Sequence, residues 1–341
     1  MKRWAAILGL GLIFVLAFKN LRLMHASVME SLAFCGSCII PALGPFVVLT
    51  KMGRGIMQAT LSENPGSGQR RMRYFAAVFL GWIGGFPLGA DQVFSQTSEN
   101  EDVTAVVAVA SCAGMGFVVG TVGALLCEDL ILGVCLYVFQ VFASLAFVGA
   151  IKTNVIDGNS IEDYRCAKKE NPGLARIIVS ATKESVSSVL SICAFVIVFS
   201  LVSDMIAILL PFESARAITR AFFEFSSGAQ MVVDGLDTVL AHFLLGFTVG
   251  FGGLSVHAQI LALSEGHRFR YFDFFVFKVL IGLLCGLYTL LYFKWQLFGI
   301  VLLIVLILSI GGWAFLKKRV KIKKGVDERQ KRCYNVLNER R

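Results

Sequence analysis

Charge is scarce in this chain. Only 16% of its 341 residues are Asp, Glu, Lys or Arg, against about 25% in an ordinary soluble domain. A soluble fold of this length needs more charge to clothe its surface, so a soluble globular enzyme and a disordered protein are both excluded. Histidine is rare too, with His 4 and Pro 6 in the whole count. There is no GxSxG, HExxH or Walker motif and no paired His/Asp set. That leaves no enzyme constellation and argues against an ATP-driven pump. The nine cysteines are scattered, mostly in apolar runs, and form no disulfide framework of the secreted kind. The one CxxC, Cys35-Gly36-Ser37-Cys38, has no second CxxC or paired histidines nearby. Helix packing accounts for it better than zinc or redox work.

What the chain has instead is apolar side chain: 56% of residues, with a mean hydropathy of +0.73. The excess falls into continuous runs, which is the pattern of membrane-spanning helices and not of an alternating outer-membrane barrel. Ten segments stand out: 4–23, 29–50, 74–90, 105–126, 130–151, 186–210, 219–233, 239–263, 274–293 and 297–316. Met1-Lys2-Arg3 followed by an apolar stretch imitates a signal peptide, but no small-x-small cleavage site follows, so a retained first helix is expected. Net charge is +9 and sits almost wholly in 317–341, where eleven Lys or Arg face three Asp or Glu. Directly after an apolar helix, such a tail marks the cytoplasmic side and touches anionic lipid; nucleic acid is not its expected partner.

Charge parity organises the segments. Loop 51–73 carries Lys51, Arg54, Arg70, Arg71 and Arg73, and loop 152–185 carries Lys152, Arg165, Lys168, Lys169, Arg176 and Lys183; both belong inside. Three apolar segments lie between them, so one must enter and return. The short, Gly-rich 74–90 is the candidate. The same conflict between loop 152–185 and the tail makes 219–233 re-entrant. The expectation is an all-α polytopic protein of eight spans and two re-entrant segments, with both termini cytoplasmic. Its parts are an N-terminal transmembrane helix (1–28), a first repeat (29–151), a cytoplasmic loop (152–185), a second, inverted repeat (186–293), a last helix (294–316) and the basic tail (317–341). The acidic loop 91–104 stays inside in this scheme. Short, Gly/Pro-interrupted segments at corresponding places in inverted halves point to a secondary transporter's site.

The candidate site follows from that pattern. Broken helices survive at membrane depth only where protein or a wet cavity satisfies the freed backbone, and half-helix N-termini suit an anion. Gly85, Pro87 and Gly89 form one break; Ser226, Ser227 and Gly228 form another; Gly252 and Gly253 form a third, and Gly114, after Ser111, matches Gly252 in the other repeat. Ser255 and Gln259 share a helical face, as do Ser226 and Gln230, each pair offering a hydroxyl and an amide. His257 lies one position off that face and either lines the cavity or bonds a neighbouring helix. Glu224 and Asp91 are the coupling-ion or proton candidates, Glu224 being the deeper. Lys278, four residues into a span, is expected to snorkel to the interface; Asp204 and His242 stay outside the site. No metal or cofactor is implied.

Gly85-Phe86-Pro87-Leu88-Gly89-Ala90, Glu224-Phe225-Ser226-Ser227-Gly228 and Phe251-Gly252-Gly253-Leu254-Ser255-Val256-His257-Ala258-Gln259 resemble motifs of the YlbJ (SpoVV) family of sporulation integral membrane proteins, in order and spacing from about residue 29 to 293. The wider group carries the nucleoside recognition (Gate) domain shared with concentrative nucleoside transporters. The resemblance implies a bacterial multi-pass protein of the outer forespore membrane. It also implies a carrier that moves dipicolinate, a flat pyridine with two carboxylates, from mother cell toward forespore. One stretch departs from the family: 111–117 reads Ser-Cys-Ala-Gly-Met-Gly-Phe where an Asn-rich, Pro-containing segment is expected. Two other readings stay open: an ion or nucleoside transporter on the same scaffold, and a non-transporting membrane scaffold recruiting sporulation proteins through the tail. A homo-oligomer is compatible with each.

Overall fold

The computed structural model describes residues 2–60, 67–97, 101–150, 173–226, 228–230 and 239–309. Every regular element among them is a helix, because lipid offers the backbone no partners and only an element that pairs its own N–H and C=O groups can sit in it. Four helical stretches among the described residues are long and apolar enough to cross a bilayer: Leu21–Thr60, Leu174–Ala207, Val239–Leu263 and Tyr271–Lys294. Large apolar side chains such as Phe75, Phe272 and Leu297 lie exposed on the outside, where a soluble protein would put charge.

Helix α1 (Lys2–Lys19) ends at a turn on Asn20. A single rod of 40 residues follows, made of α2 (Leu21–Phe34), a π turn (Cys35–Ile39) and α3 (Ile40–Thr60). The sequence suggests separate runs at 4–23 and 29–50; the second helix in fact begins at Leu21 and runs through Pro41 and Pro45. The π turn explains why Pro41 does not end it. The Ile40 N–H reaches back five residues to the Cys35 carbonyl, and this widening takes up the proline ring's clash with the preceding turn. The CxxC is therefore a bend in a rod, with Cys35 buried beside Cys193.

Then come α4 (Ser67–Gly84), a bend at 85–87, α5 (Leu88–Phe94), α6 (Thr104–Ala110), non-helical 111–114, a π-helix (Gly116–Leu126) and α7 (Leu130–Ala150). The span anticipated at 105–126 is thus two half-helices. The second half of the chain runs α8 (Leu174–Ala207), α9 (Glu213–Phe223), a break at Glu224 with helix resuming at 225, α10 (Val239–Phe251), α11 (Gly253–Leu263), α12 (Tyr271–Lys294) and α13 (Gln296–Ser309). Residues 231–233 of the segment 219–233, most of loop 152–185 and the basic tail lie outside the described residues.

The 21–60 rod and α8 pack antiparallel. Gly55 meets Ile177 near one end, Cys35 meets Cys193 midway, and Glu30 shares Arg220 with Asp204 near the other. Helices α10 and α12 approach through paired GxxxG faces, Gly246/Gly250 and Gly282/Gly286; a Cβ on Gly250 would stand 2.8 Å from the Gly282 Cα. Such small residues let helices close on dispersion alone, lipid supplying no hydrophobic drive.

Polar side chains gather at the two ends of these rods. At one end Asp91 takes Lys51 (2.7 Å) and Arg54 (3.0 Å), and Arg54 also reaches Glu184 (2.6 Å). Phe94, Asp102 and Thr104 meet the 264–270 turn through His267 on the Phe94 carbonyl (3.0 Å), the Arg270 amide on Thr104 Oγ1 (2.9 Å) and the Arg270–Asp102 ion pair (3.1 Å). At the far ends of the 21–60 rod and α8, Arg220 holds Asp204 (2.7 Å) and Glu30 (3.5 Å). Asp129 accepts the Tyr292 hydroxyl (3.1 Å).

Candidate functional site

Four helix breaks, distant in sequence, come together between these ends. Gly85 has φ +77°, a left-handed conformation that a Cβ would strain, and its Cα stands directly against Gly114. Gly252 has φ +88° and faces the Phe86 ring, while Gly253 packs on the Phe223 carbonyl and the Phe225 amide. The Phe225 ring meets Phe86 edge-on at 5.7 Å and Phe117 at 4.8 Å. Residues 85–87, 111–117, 223–226 and 251–253 thus form one junction.

Each break frees backbone carbonyls that lipid cannot satisfy, and side chains take them up. Trp82 Nε1 donates to the Val109 carbonyl (2.9 Å), and Tyr137 Oη to the Trp82 carbonyl (2.9 Å). Gln140 Nε2 donates to Ala113 (3.2 Å). At the other half-helix, His257 Nε2 lies 3.2 Å from the Phe251 carbonyl. Ser111 receives the most costly donor: Lys278 Nζ, at 2.8 Å.

Lys278 does not snorkel. Its side chain is fully buried (0% exposed), with the ammonium 4.7 Å from the centre of the Phe86 ring. An ammonium at the membrane end of α12 would reach water, but Lys278 lies on the face that α12 turns inward with Phe274, Ile281, Gly282 and Cys285. Its stem therefore leads into the junction, where the 111–114 break holds a free carbonyl. Among the described residues no acidic side chain forms an ion pair with it. The sequence holds a signal for this placement: Lys278 is four residues before Gly282, the start of the small-residue face that marks α12's packing side.

The anticipated site residues divide into groups. Gly85, Ser111, Gly114, Ser226, Glu224, Gly252 and Gly253 are buried at the junction, and Pro87 is half-buried beside them. Gly89 packs on the Ala110 carbonyl and Gly228 on Ala221. Helix resumes at Gly253, so Ser255 and Gln259 do share a face of α11, both buried. Among the described residues, Ser111 Oγ, Ser255 Oγ, Gln259 Oε1 and both amide atoms of Gln92 on α5 are buried without a hydrogen-bond partner. Gln92 was missed because an amide one turn past a proline break reads as a surface residue; α5 packs against both α6 and α11. Gln230 is half-buried, and Ser227 lies outside the described residues.

His257 ties the Phe251 carbonyl to Tyr271 Oη (3.4 Å) within a cage of Phe251, Phe274 and Phe275. Glu224 is fully buried, and its Oε1 accepts the Ser226 amide (3.1 Å), capping the helix that resumes there. Asp91 is not at the junction but in the ion-pair cluster with Lys51 and Arg54. Asp204 likewise pairs with Arg220.

This is an all-helical integral membrane protein built around broken helices that meet at a buried, partly unpaired polar centre. An alignment 155 positions long, covering 40% of the chain, is 23% identical to the sporulation integral membrane protein YlbJ of Bacillus subtilis (strain 168). The match covers 38% of that relative's length, and it bears out the family resemblance read from the motifs. No family model matches the chain, and no solved structure does.

Proposed function

We propose that the chain is a secondary carrier of a small organic anion, with its binding site at the junction of the four breaks. The observation that carries this reading is the junction itself: irregular backbone at membrane depth, lined by hydroxyl and amide groups without partners, around one buried ammonium. Such a centre costs several kcal/mol unless a ligand uses it. The resemblance to the YlbJ family makes dipicolinate the expected cargo, carried across the outer forespore membrane of a sporulating bacterium, without a metal or cofactor.

The proposed frame is eight crossings and two re-entrant segments in inverted repeats, 29–151 and 186–293, flanked by the helices at 1–28 and 294–316 and the tail 317–341. Several contacts support it. The first long helices of the two halves are antiparallel, as an inverted repeat requires. Asp91, at the far end of the first re-entrant segment, pairs with Lys51 and Arg54, which fits a segment that returns to the basic, cytoplasmic side. Arg220, before the second break, pairs at the opposite ends of the rods. Phe94 and Thr104 pack on the 264–270 turn, consistent with all of these lying inside.

The test is flux of dipicolinate, uridine and sodium into proteoliposomes holding the purified protein, with Glu224→Gln beside the wild type. Dipicolinate uptake that is absent from empty vesicles and reduced by Glu224→Gln is the expected result. Uptake of uridine or sodium alone moves the scaffold to another cargo. No uptake of any of them, with insertion verified, removes the carrier reading.

A further inference from the structure

We infer that Lys278 is the anion anchor of this site: its ammonium rests on the Ser111 carbonyl and the Phe86 ring while the site is empty, and takes a carboxylate of the cargo when it is filled. This deepens the carrier reading and rests on it. The ammonium has a partial complement only. One neutral carbonyl at 2.8 Å and one ring face at 4.7 Å replace far less than the hydration it gave up, and buried cations elsewhere in proteins hold carboxylates. The residue it holds and the half-helix that follows Phe86 both carry buried polar atoms without partners. Ser111 offers an unpaired hydroxyl on the very residue whose carbonyl Lys278 holds, and Gln92 has two unpaired amide atoms on the half-helix after the Phe86–Pro87 bend; both are fully buried.

The neighbours also define the cargo's shape. Phe86, Phe225 and Phe117 make a contiguous aromatic wall, and Phe86 is the ring that Lys278 covers. A carboxylate on the ammonium places the atoms bonded to it against that wall, so the site favours a carboxylate on a flat, apolar body over an inorganic anion. Moving the ammonium from Ser111 to the cargo also frees the 111–114 break, so that loading and the conformation of this break are linked.

The experiment uses the full-length protein in detergent, with pyridine-2,6-dicarboxylate, benzoate, sulfate and the uncharged pyridine-2,6-dicarboxamide as probes. Affinity is read by calorimetry and stability by melting temperature, for wild type, Lys278→Met and Lys278→Arg. The wild type is expected to bind the dicarboxylate more tightly than sulfate and far more tightly than the diamide. Lys278→Met should lose about tenfold or more for the dicarboxylate, with the preference over the diamide collapsing, and Lys278→Arg should retain most of it. Without ligand, Lys278→Met should melt within a few degrees of the wild type, since removing a poorly compensated ammonium is offset by leaving the Ser111 carbonyl without its donor. A purely structural Lys278 gives a different pattern: a markedly lower melting temperature and an equal loss for both probes, or unchanged affinity for both. Either pattern overturns the inference while leaving the carrier reading intact. A wild type that binds none of the anions overturns both.

Discussion

Glu184 and Asp204 stand on one helix, α8, and each is held by an arginine: Glu184 by Arg54 at 2.6 Å and Asp204 by Arg220 at 2.7 Å. At about 1.5 Å rise per residue the two carboxylates are about 30 Å apart along the helix, which is about the thickness of a bilayer's hydrocarbon core. Helix α8 is 34 residues long, and the polar pairs mark the stretch of it that lipid surrounds. Glu30 and Lys51 bracket the neighbouring rod with a similar spacing.

That spacing gives a topology prediction. On a cysteine-free background, Ser214→Cys, next to the Arg220–Asp204 end, should react with an impermeant maleimide from outside the cell. Ser264→Cys, in the turn that packs on Phe94 and Thr104, should react only after permeabilisation. Labelling of both from one side would break the parity of eight crossings.

Asp91→Asn should lower the melting temperature by several degrees. It leaves Lys51 almost buried without its carboxylate, a loss of about 1–3 kcal/mol once partial exposure is allowed for. Lys51→Met with Asp91→Asn should cost less than the sum of the two changes, because the double variant leaves no unpaired ammonium. Additive losses would mean that the pair contributes nothing of its own.

Alanine at Gly85 or Gly252 should destabilise the protein by about 1–3 kcal/mol, through left-handed strain and contact with Gly114 or Phe86. Gly11→Ala is the control. It sits inside α1 with nothing within 4 Å of a new Cβ, so stability should be unchanged or rise by up to about 1 kcal/mol. Thermal unfolding of the three variants side by side measures the difference; equal effects would mean that the breaks are not close-packed.

Asp102 lies in the polar turn between α5 and α6. Partial burial pushes its carboxyl up, but the Thr104 hydroxyl and amide and the guanidinium groups of Arg270 and Arg268 outweigh that and hold it below the usual carboxylate value. A carboxylate depressed in the folded state adds stability above its unfolded pKa of about 3.9, and that contribution is lost as pH falls through the folded value. The contact of Asp102 and Thr104 with the 264–270 turn should therefore be insensitive to pH from neutrality to about pH 5 and weaken in more acid solution. Hydrogen exchange at this contact should follow that course in the wild type and lose it in Asp102→Asn.

Much of the site was legible because its signals are local. Gly85–Pro87 and Gly252–Gly253 break helices by their own conformational preferences, and helix resuming after Gly253 places Ser255 and Gln259 on one face. Glu224 stood out as a carboxylate amid phenylalanines. The 111–114 break was not legible as one. Nothing in Ser111-Cys112-Ala113-Gly114 forbids a helix, and it is the packing of Gly85 on Gly114, with Lys278, Trp82 and Gln140 taking up carbonyls, that holds the backbone open. The extent of the helix at 21–60 was hidden for a different reason: hydropathy divides the runs 4–23 and 29–50, whereas the helix starts at Leu21 and continues through Lys51 and Arg54, which carry no apolar signal.

The sequence by itself determined that this is a helical membrane protein, where three of its four helix breaks fall, and which loops carry the positive charge. Those properties depend on hydropathy, glycine and proline, which act over a few residues. Only the tertiary structure decided that the four breaks meet, that Asp91 belongs to an ion-pair cluster and not to the junction, and that Lys278 points inward. A lysine near a helix end has the same sequence whether it reaches for water or for a carbonyl. The choice depends on which partner another part of the chain brings within about 3 Å.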